Sequence, residues 1–209
     1  MYKHVMWDFD GTLFDSYPIM GKIFQESLLI IGIDEPLDEI LKHMKVSMTE
    51  AFNHYEKTYQ INDEFKENYH AKRTKQEIDM AEPFQGALEI CRYIHESGGN
   101  NYLYTHRGQS SIVMLKKFGM YDYFTDFITS EHGFERKPKP DAIQFLLDKH
   151  GINKEEAIMV GDRYLDILAA KNAGISACYF SENGDTSSHA DYNITDFEQL
   201  RSLLQATHK

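Results

Sequence analysis

Cysteine is scarce in this chain of 209 residues: there are two, Cys91 and Cys178, far apart and each inside an apolar run. That excludes a disulfide-built scaffold and suits two buried free thiols in a reducing compartment. Long hydrophobic runs are missing, since nothing approaches the ~18 residues that a membrane span requires. Positive charge is in deficit as well. Lys and Arg number 22 against 33 Asp and Glu, a formal net charge of -11. A general binder of nucleic acid or of an anionic membrane is therefore not expected, because phosphate-rich partners favour basic surfaces. Apart from His106, the histidines show no metal-ligand spacing. There is no internal repeat and no low-complexity tract, and Met1-Tyr2-Lys3-His4 leads into a first strand without a signal-peptide pattern. The expectation is a cytoplasmic protein, monomer or homodimer.

Hydrophobic residues make up 42% and charged residues 26%, the balance of an ordinary globular chain. Apolar spacing divides it in two. Ile19, Ile23, Phe24, Leu28 and Ile31 recur at helical intervals, as do Leu37, Ile40, Leu41 and Met44, and then Met48, Phe52, Tyr55 and Tyr59. A polar, charged helix follows from Asp63 to Ile78. From Pro83 onward strands and helices alternate. Strands are predicted at 101–105, 127–129, 157–160, 175–180 and 192–194, and helices at 87–94, 112–118, 142–149, 164–172 and 197–204. This alternation predicts an α/β domain with a doubly wound parallel sheet. It would comprise residues 1–16 and 82–209, with a small helical domain, residues 17–81, inserted after the first strand.

The first strand runs Val5-Met6-Trp7 and ends in Asp8-Phe9-Asp10-Gly11-Thr12. Two carboxylates one residue apart at the end of a buried strand are unfavourable unless a cation or donors compensate them. In an open parallel sheet, ligands sit at the carboxyl ends of the strands. The second of these ends carries Thr105-His106-Arg107 and a later one Gly161-Asp162-Arg163, with Asp166 at i+4 from Asp162. Lys137-Pro138-Lys139-Pro140-Asp141 precedes the helix at Ala142. Carboxylates, a hydroxyl and a lysine thus reach one edge from four segments. Such a set suits phosphoryl transfer. One aspartate can attack phosphorus, and a second can move the proton of the leaving oxygen. Mg²⁺, a hydroxyl and a lysine can offset the charge. Asp162 and Asp166 can face one metal from the first turn of a helix.

Asp8-Phe9-Asp10-Gly11-Thr12-Leu13, Thr105, Lys137-Pro138-Lys139-Pro140-Asp141 and Gly161-Asp162-x-x-x-Asp166 resemble the four motifs of the haloacid dehalogenase-like superfamily, in its order and spacing. The nearest likeness is to phosphoglycolate phosphatase-like and β-phosphoglucomutase-like members, whose type I cap the helical insert resembles. The resemblance implies Asp8 as nucleophile, Asp10 as general acid/base, Thr105 as a phosphoryl ligand and Lys137 as charge stabiliser. It also implies Mg²⁺ held by the Asp8 carboxylate, the Asp10 carbonyl and Asp162, with Gly11 and Asp166 in support. Thr12, His106 and Arg107 are candidate substrate contacts. Lys139 is expected to face solvent, and Trp7 to pack in the core.

The sequence departs from the family pattern at His106, Arg107 and Arg163, where smaller polar residues are frequent. The function implied is a Mg²⁺-dependent phosphatase acting on a small phosphorylated metabolite through an aspartyl-phosphate. A phosphomutase of the β-phosphoglucomutase type would use the same residues, and a non-catalytic phosphate-binding regulator is the binding-class alternative. Phosphoglycolate, a sugar phosphate, a nucleotide monophosphate and pyrophosphate all remain open as substrates.

Overall fold

The computed structural model describes residues 2–206; Met1 and residues 207–209, which the sequence reading assigned to the α/β domain, lie outside them. The strands are β1 (His4–Trp7), β2 (Phe14–Asp15), β3 (Glu82–Pro83), β4 (Asn100–Tyr104), β5 (Phe124–Ile128), β6 (Ala157–Gly161), β7 (Ser176–Phe180) and β8 (Tyr192–Ile194). The α-helices are α1 (Tyr17–Ile30), α2 (Leu37–Val46), α3 (Met48–Tyr59), α4 (Asp63–Met80), α5 (Ala87–Glu96), α6 (Ser110–Lys117), α7 (Asp141–His150), α8 (Tyr164–Ala173) and α9 (Phe197–Ala206).

Two compact units result, one from Asp15 to Glu82 and the other from the chain before and after it. Asp15, Ser16 and Glu82, expected in the α/β domain, fall in the helical unit. Ser16 is the N-cap of α1, and its carbonyl accepts the Met20 N–H at 3.0 Å, so the helix already begins there. The two-residue strands β2 and β3, where the chain leaves and re-enters the α/β unit, are too short for any periodicity to reveal.

The α/β unit is built on a six-stranded sheet in the order β5-β4-β1-β6-β7-β8, with every pairing parallel. Parallel strands covered on both faces read as continuous apolar runs rather than alternating ones. Val5, Met6 and Trp7 of β1, and Ala157 to Val160 of β6, are accordingly all buried. Helices α7 and α8 close one face with Ile143, Leu146, Leu147, Ile167 and Ala170, which cluster with Met6, Tyr102 and Met159. Trp7 packs in the core, where its indole N–H donates to Asn101 Oδ1 at 2.9 Å. Asn101 in turn donates to the Cys91 and Tyr123 carbonyls at 2.8 and 3.0 Å, so this buried polar group is satisfied. Both cysteines are buried and free. Burial pushes the Cys178 thiol up to about 12 and raises that of Cys91, which leaves neither reactive.

Chain order and spatial order differ in a way that creates a site. From β4 the chain continues outward to β5, then crosses to β6 on the opposite side of β1 and continues outward to β7 and β8. Where that direction reverses, the loops leaving neighbouring strands separate and open a crevice at the carboxyl end of β1.

The helical unit is organised around Phe24, which is wholly buried. Its ring lies 5.1–5.7 Å from those of Phe52, Tyr55, Phe65 and Tyr69. These are the spacings at which aromatic rings pack edge-on or tilted. Ser47 and Asn62 cap α3 and α4 by accepting the N–H groups of Glu50 and Phe65 at 2.9 and 3.0 Å. Among the described residues no helix is long and apolar enough to cross a membrane.

Candidate active site

The segment after β1 turns at once. The Leu13 and Phe14 N–H groups return to the Phe9 carbonyl at 3.1 and 3.0 Å, and Gly11 sits at φ 78°, in the left-handed region that a side chain would strain. This tight turn holds Asp8, Asp10 and Thr12 at the crevice. Asp8 and Thr12 are buried, and Asp10 is partly so.

Lys137 arrives from the loop before α7. Its Nζ donates to Asp8 Oδ1 at 2.6 Å and to Asp166 Oδ1 at 2.8 Å, with none of the lysine side chain exposed. The ammonium also lies 4.5 Å from the centre of the Tyr104 ring, a cation–π contact. Asp166, in the first turn of α8, accepts the Arg163 N–H at 3.0 Å through its other oxygen and so caps its own helix. The Arg163 guanidinium stands 3.6 Å from both Asp8 Oδ2 and Asp166 Oδ2. Asp162 is partly buried and accepts from the Thr12 hydroxyl at 3.2 Å. Gly161 is required by close approach: a Cβ there would stand 2.3 Å from Asp166 Cβ.

Oxygens of Asp8, Asp162 and Asp166 lie within 4.8 Å of one another. Their protonation follows from what surrounds each. Burial raises the Asp8 carboxyl, the Asp166 charge adds to that, and Lys137 opposes it. Burial lifts Asp162 well above the usual range; Asp8 and Asp166 reinforce this against Arg163. Burial also works against the charge on Asp166, but Lys137 and Arg163 outweigh it and hold the group below its ordinary value. For Lys137, burial is outweighed by Asp166 and Asp8, which keep it charged. Asp8 Oδ2 is buried and accepts no hydrogen bond.

On the other side of the turn, Asp10 Oδ1 accepts from Arg107 Nη1 at 2.5 Å. Arg107 is itself buried, with its guanidinium 5.1 Å from the Phe9 ring centre and its backbone N–H on Thr105 Oγ1 at 3.0 Å.

The structure thus brings Asp8, Thr12, Lys137, Asp162 and Asp166 into one cluster, with Asp10 and Thr105 joined through Arg107. Three residues expected to face a substrate have partners within the protein. Thr12 is on Asp162, Arg107 is on Asp10, and His106 accepts the Lys137 backbone N–H at 2.9 Å. Lys139 is exposed and 3.6 Å from Glu135. Sequence reasoning missed Tyr104 beneath Lys137, and no spacing rule would have found it, because the contact joins two segments brought together only by folding.

The family model for haloacid dehalogenase-like hydrolases matches residues 5–180. The chain belongs to that family. This hydrolase is 27% identical over 221 residues to a phosphoglycolate phosphatase of Vibrio vulnificus strain YJ016, covering 97% of this chain and 96% of the relative. It is 29% identical over 172 residues to the pyrophosphatase PpaX of Listeria monocytogenes serotype 4a, covering 81% and 78%. Among solved structures it resembles a hydrolase from Streptococcus pneumoniae TIGR4, with a TM-score of 0.68, 29% identity and 98% of each chain covered.

Proposed function

We propose that this hydrolase is a Mg²⁺-dependent phosphatase of small phosphorylated metabolites, working in the cytoplasm through an aspartyl-phosphate on Asp8. One observation carries the reading. Asp8 is buried, has one oxygen fixed by Lys137 at 2.6 Å, and has the other without a hydrogen bond. A carboxylate so placed is oriented yet keeps a lone pair for attack on phosphorus. The relatives named as phosphatase and pyrophosphatase support hydrolysis of a phosphorylated substrate.

The residues fit a divalent cation. Three carboxylates with oxygens within 4.8 Å face two cations, Lys137 and Arg163, and Asp8 Oδ2 accepts no hydrogen bond, with Arg163 standing off at 3.6 Å. Hard oxygen ligands of this kind suit Mg²⁺. Asp8, the Asp10 carbonyl and Asp162 would hold it, with Asp166 anchoring Lys137 and the helix beside them. When bound, Mg²⁺ offsets the repulsion between an anionic nucleophile and an anionic substrate.

The remaining steps belong to side chains. The Asp8 carboxylate forms a bond to phosphorus as the bond to the leaving oxygen breaks. Asp10 supplies the proton to that oxygen, then takes one from the water that cleaves the acyl phosphate. Arg107 orients Asp10 for both transfers. The Thr105 hydroxyl and Lys137 ammonium stabilise the equatorial phosphoryl oxygens.

The test is phosphate release from a panel of phosphomonoesters plus pyrophosphate, with Mg²⁺, for wild type beside Asp8→Asn. Mg²⁺-dependent release that vanishes in Asp8→Asn is the expected result. Turnover that survives the substitution would overturn the covalent mechanism, and an isomerised sugar phosphate without phosphate release would identify a phosphomutase.

A further inference from the structure

His106 has two nitrogen contacts that cannot both be hydrogen bonds of the same kind. Its Nε2 lies 2.9 Å from the Lys137 backbone nitrogen, and its Nδ1 lies 3.4 Å from Arg136 Nε. Both neighbours are donors, while a neutral imidazole has one acceptor nitrogen. The Lys137 contact has ordinary hydrogen-bond length, and 3.4 Å is long for one. The ring proton therefore belongs on Nδ1, and Nε2 receives the Lys137 amide. Burial first, then the charges of Lys137, Arg136 and Arg163, depress the ring to about 3, so it is neutral and keeps its acceptor across the physiological range.

Lys137 lies in a turn between Gly133 and α7, where neither helix nor strand supplies its amide with a partner. Its side chain has four rotatable bonds, so the position of Nζ depends on where the main chain is held. The far end is fixed by Asp8, Asp166 and the Tyr104 ring. The near end is fixed by His106, whose ring is edge-on to the same Tyr104, centres 6.0 Å apart at 74°. Residues 106 and 107 thus each brace a group from another segment: His106 the backbone of Lys137, Arg107 the carboxylate of Asp10.

We infer that His106 is a positioning residue, which sets the place of the Lys137 ammonium by accepting that lysine's backbone N–H through Nε2. This rests on the proposed role of Lys137 in stabilising the phosphoryl group. It replaces the expectation that His106 touches the substrate.

Two measurements test it, one of them independent of turnover. In ¹⁵N spectra of the folded protein, the His106 ring should show a protonated Nδ1 and a bare Nε2, and the Lys137 amide should exchange slowly with solvent. The Nε2–H tautomer, or a rapidly exchanging amide, would overturn the inference even if no substrate were ever found. In kinetics, His106→Ala should lower kcat by up to about 10²-fold, the size of effect that a small misplacement causes, with little change in KM. His106→Gln, whose amide oxygen can replace Nε2 as acceptor, should recover much of that loss. In a Lys137→Ala background, removing His106 should cost almost nothing more. A raised KM at unchanged kcat would return His106 to the substrate. Equal losses in the Ala and Gln variants would tie the effect to ring volume, and additive losses with Lys137→Ala would show action elsewhere; each would overturn the proposal.

Discussion

The two units of this chain bury different chemistry. At the carboxyl edge of the sheet, the α/β unit buries Asp8, Lys137, Asp166 and Arg107. At its centre, the helical unit buries rings: Phe24 with Phe52, Tyr55, Phe65 and Tyr69. Its buried carboxylate Glu77 is bound by Arg73 at 2.7 Å, one turn back on the same helix. Close-packed rings stabilise by removing apolar area from water. Buried ion networks often contribute less than apolar residues of equal volume would, because desolvation costs so much. A chain that can fill a centre with aromatic residues, yet fills a sheet edge with charge, places that charge for chemistry rather than for stability.

The sharpest break in that comparison is Asp8→Asn. Phosphate release should fall by at least about a thousandfold, as for removal of other nucleophiles. Since burial and Asp166 both disfavour charge on Asp8, the melting temperature should hold or rise. A fall in both would mean that Asp8 is structural. Lys137→Ala should behave in the opposite way and cost about 3–5 kcal/mol of stability as well as activity, because it leaves two buried carboxylates with only the Arg163 guanidinium, 3.6 Å away, to offset them. Urea unfolding followed by circular dichroism would measure the cost.

Phe24→Ala should cost a comparable amount, about 3–5 kcal/mol, through the cavity it leaves among the rings. Urea unfolding followed by circular dichroism would measure this cost too. Gly161→Ala should cost about 1–3 kcal/mol, since its methyl group would meet Asp166 at 2.3 Å and force α8 outward.

The smallest effect concerns an exposed pair at the sheet edge. Asp191 bonds Lys171 and accepts the Ala177 N–H at 2.8 Å. Partial burial pushes its carboxyl up, but the bonds from Lys171 and Ala177 prevail and hold it below the ordinary value. Its stabilising contribution is then present above the unfolded pKa of about 3.9 and is lost as pH falls through the lower folded value. Asp191→Asn should flatten that acid limb by less than about 1 kcal/mol. An unchanged limb would show that the pair contributes nothing.

Much of the architecture was legible because periodicity reports burial directly. The apolar spacing from Ile19 to Tyr59 marked helices, and the continuous runs Val5-Met6-Trp7 and Ala157 to Val160 marked buried parallel strands. The strand at Phe124–Ile128 was legible only in its second half. Thr125 and Asp126 interrupt the apolar run, and a 3₁₀ turn at Tyr121–Tyr123 precedes it. In the site, Asp8, Asp10 and Asp162 stood out because charges and a glycine beside buried strands are hard to explain otherwise, whereas Lys137 stood out from Lys139 only through the resemblance of Lys137-Pro138-Lys139-Pro140-Asp141 to the family motif. Their partners did not stand out. Nothing in the spacing of His106 and Lys137, or of Arg107 and Asp10, signals a contact, since Arg107 reaches Asp10 only when β4 lies beside β1, and His106 reaches Lys137 only when the loop before α7 comes to the end of β4.

By itself the sequence determined the classes of element, the parallel α/β sheet with its helical insert, and the residue types that meet at the sheet's edge. These are local quantities, set by period, turn chemistry and the cost of burying charge. Only the tertiary structure decided which donor faces which acceptor: that Lys137 bridges Asp8 and Asp166, that Arg107 takes Asp10, and that His106 holds the lysine's main chain. Hydrogen bonds depend on tenths of an ångström between segments far apart in sequence, and that distance is fixed by the packing of the sheet rather than by any motif.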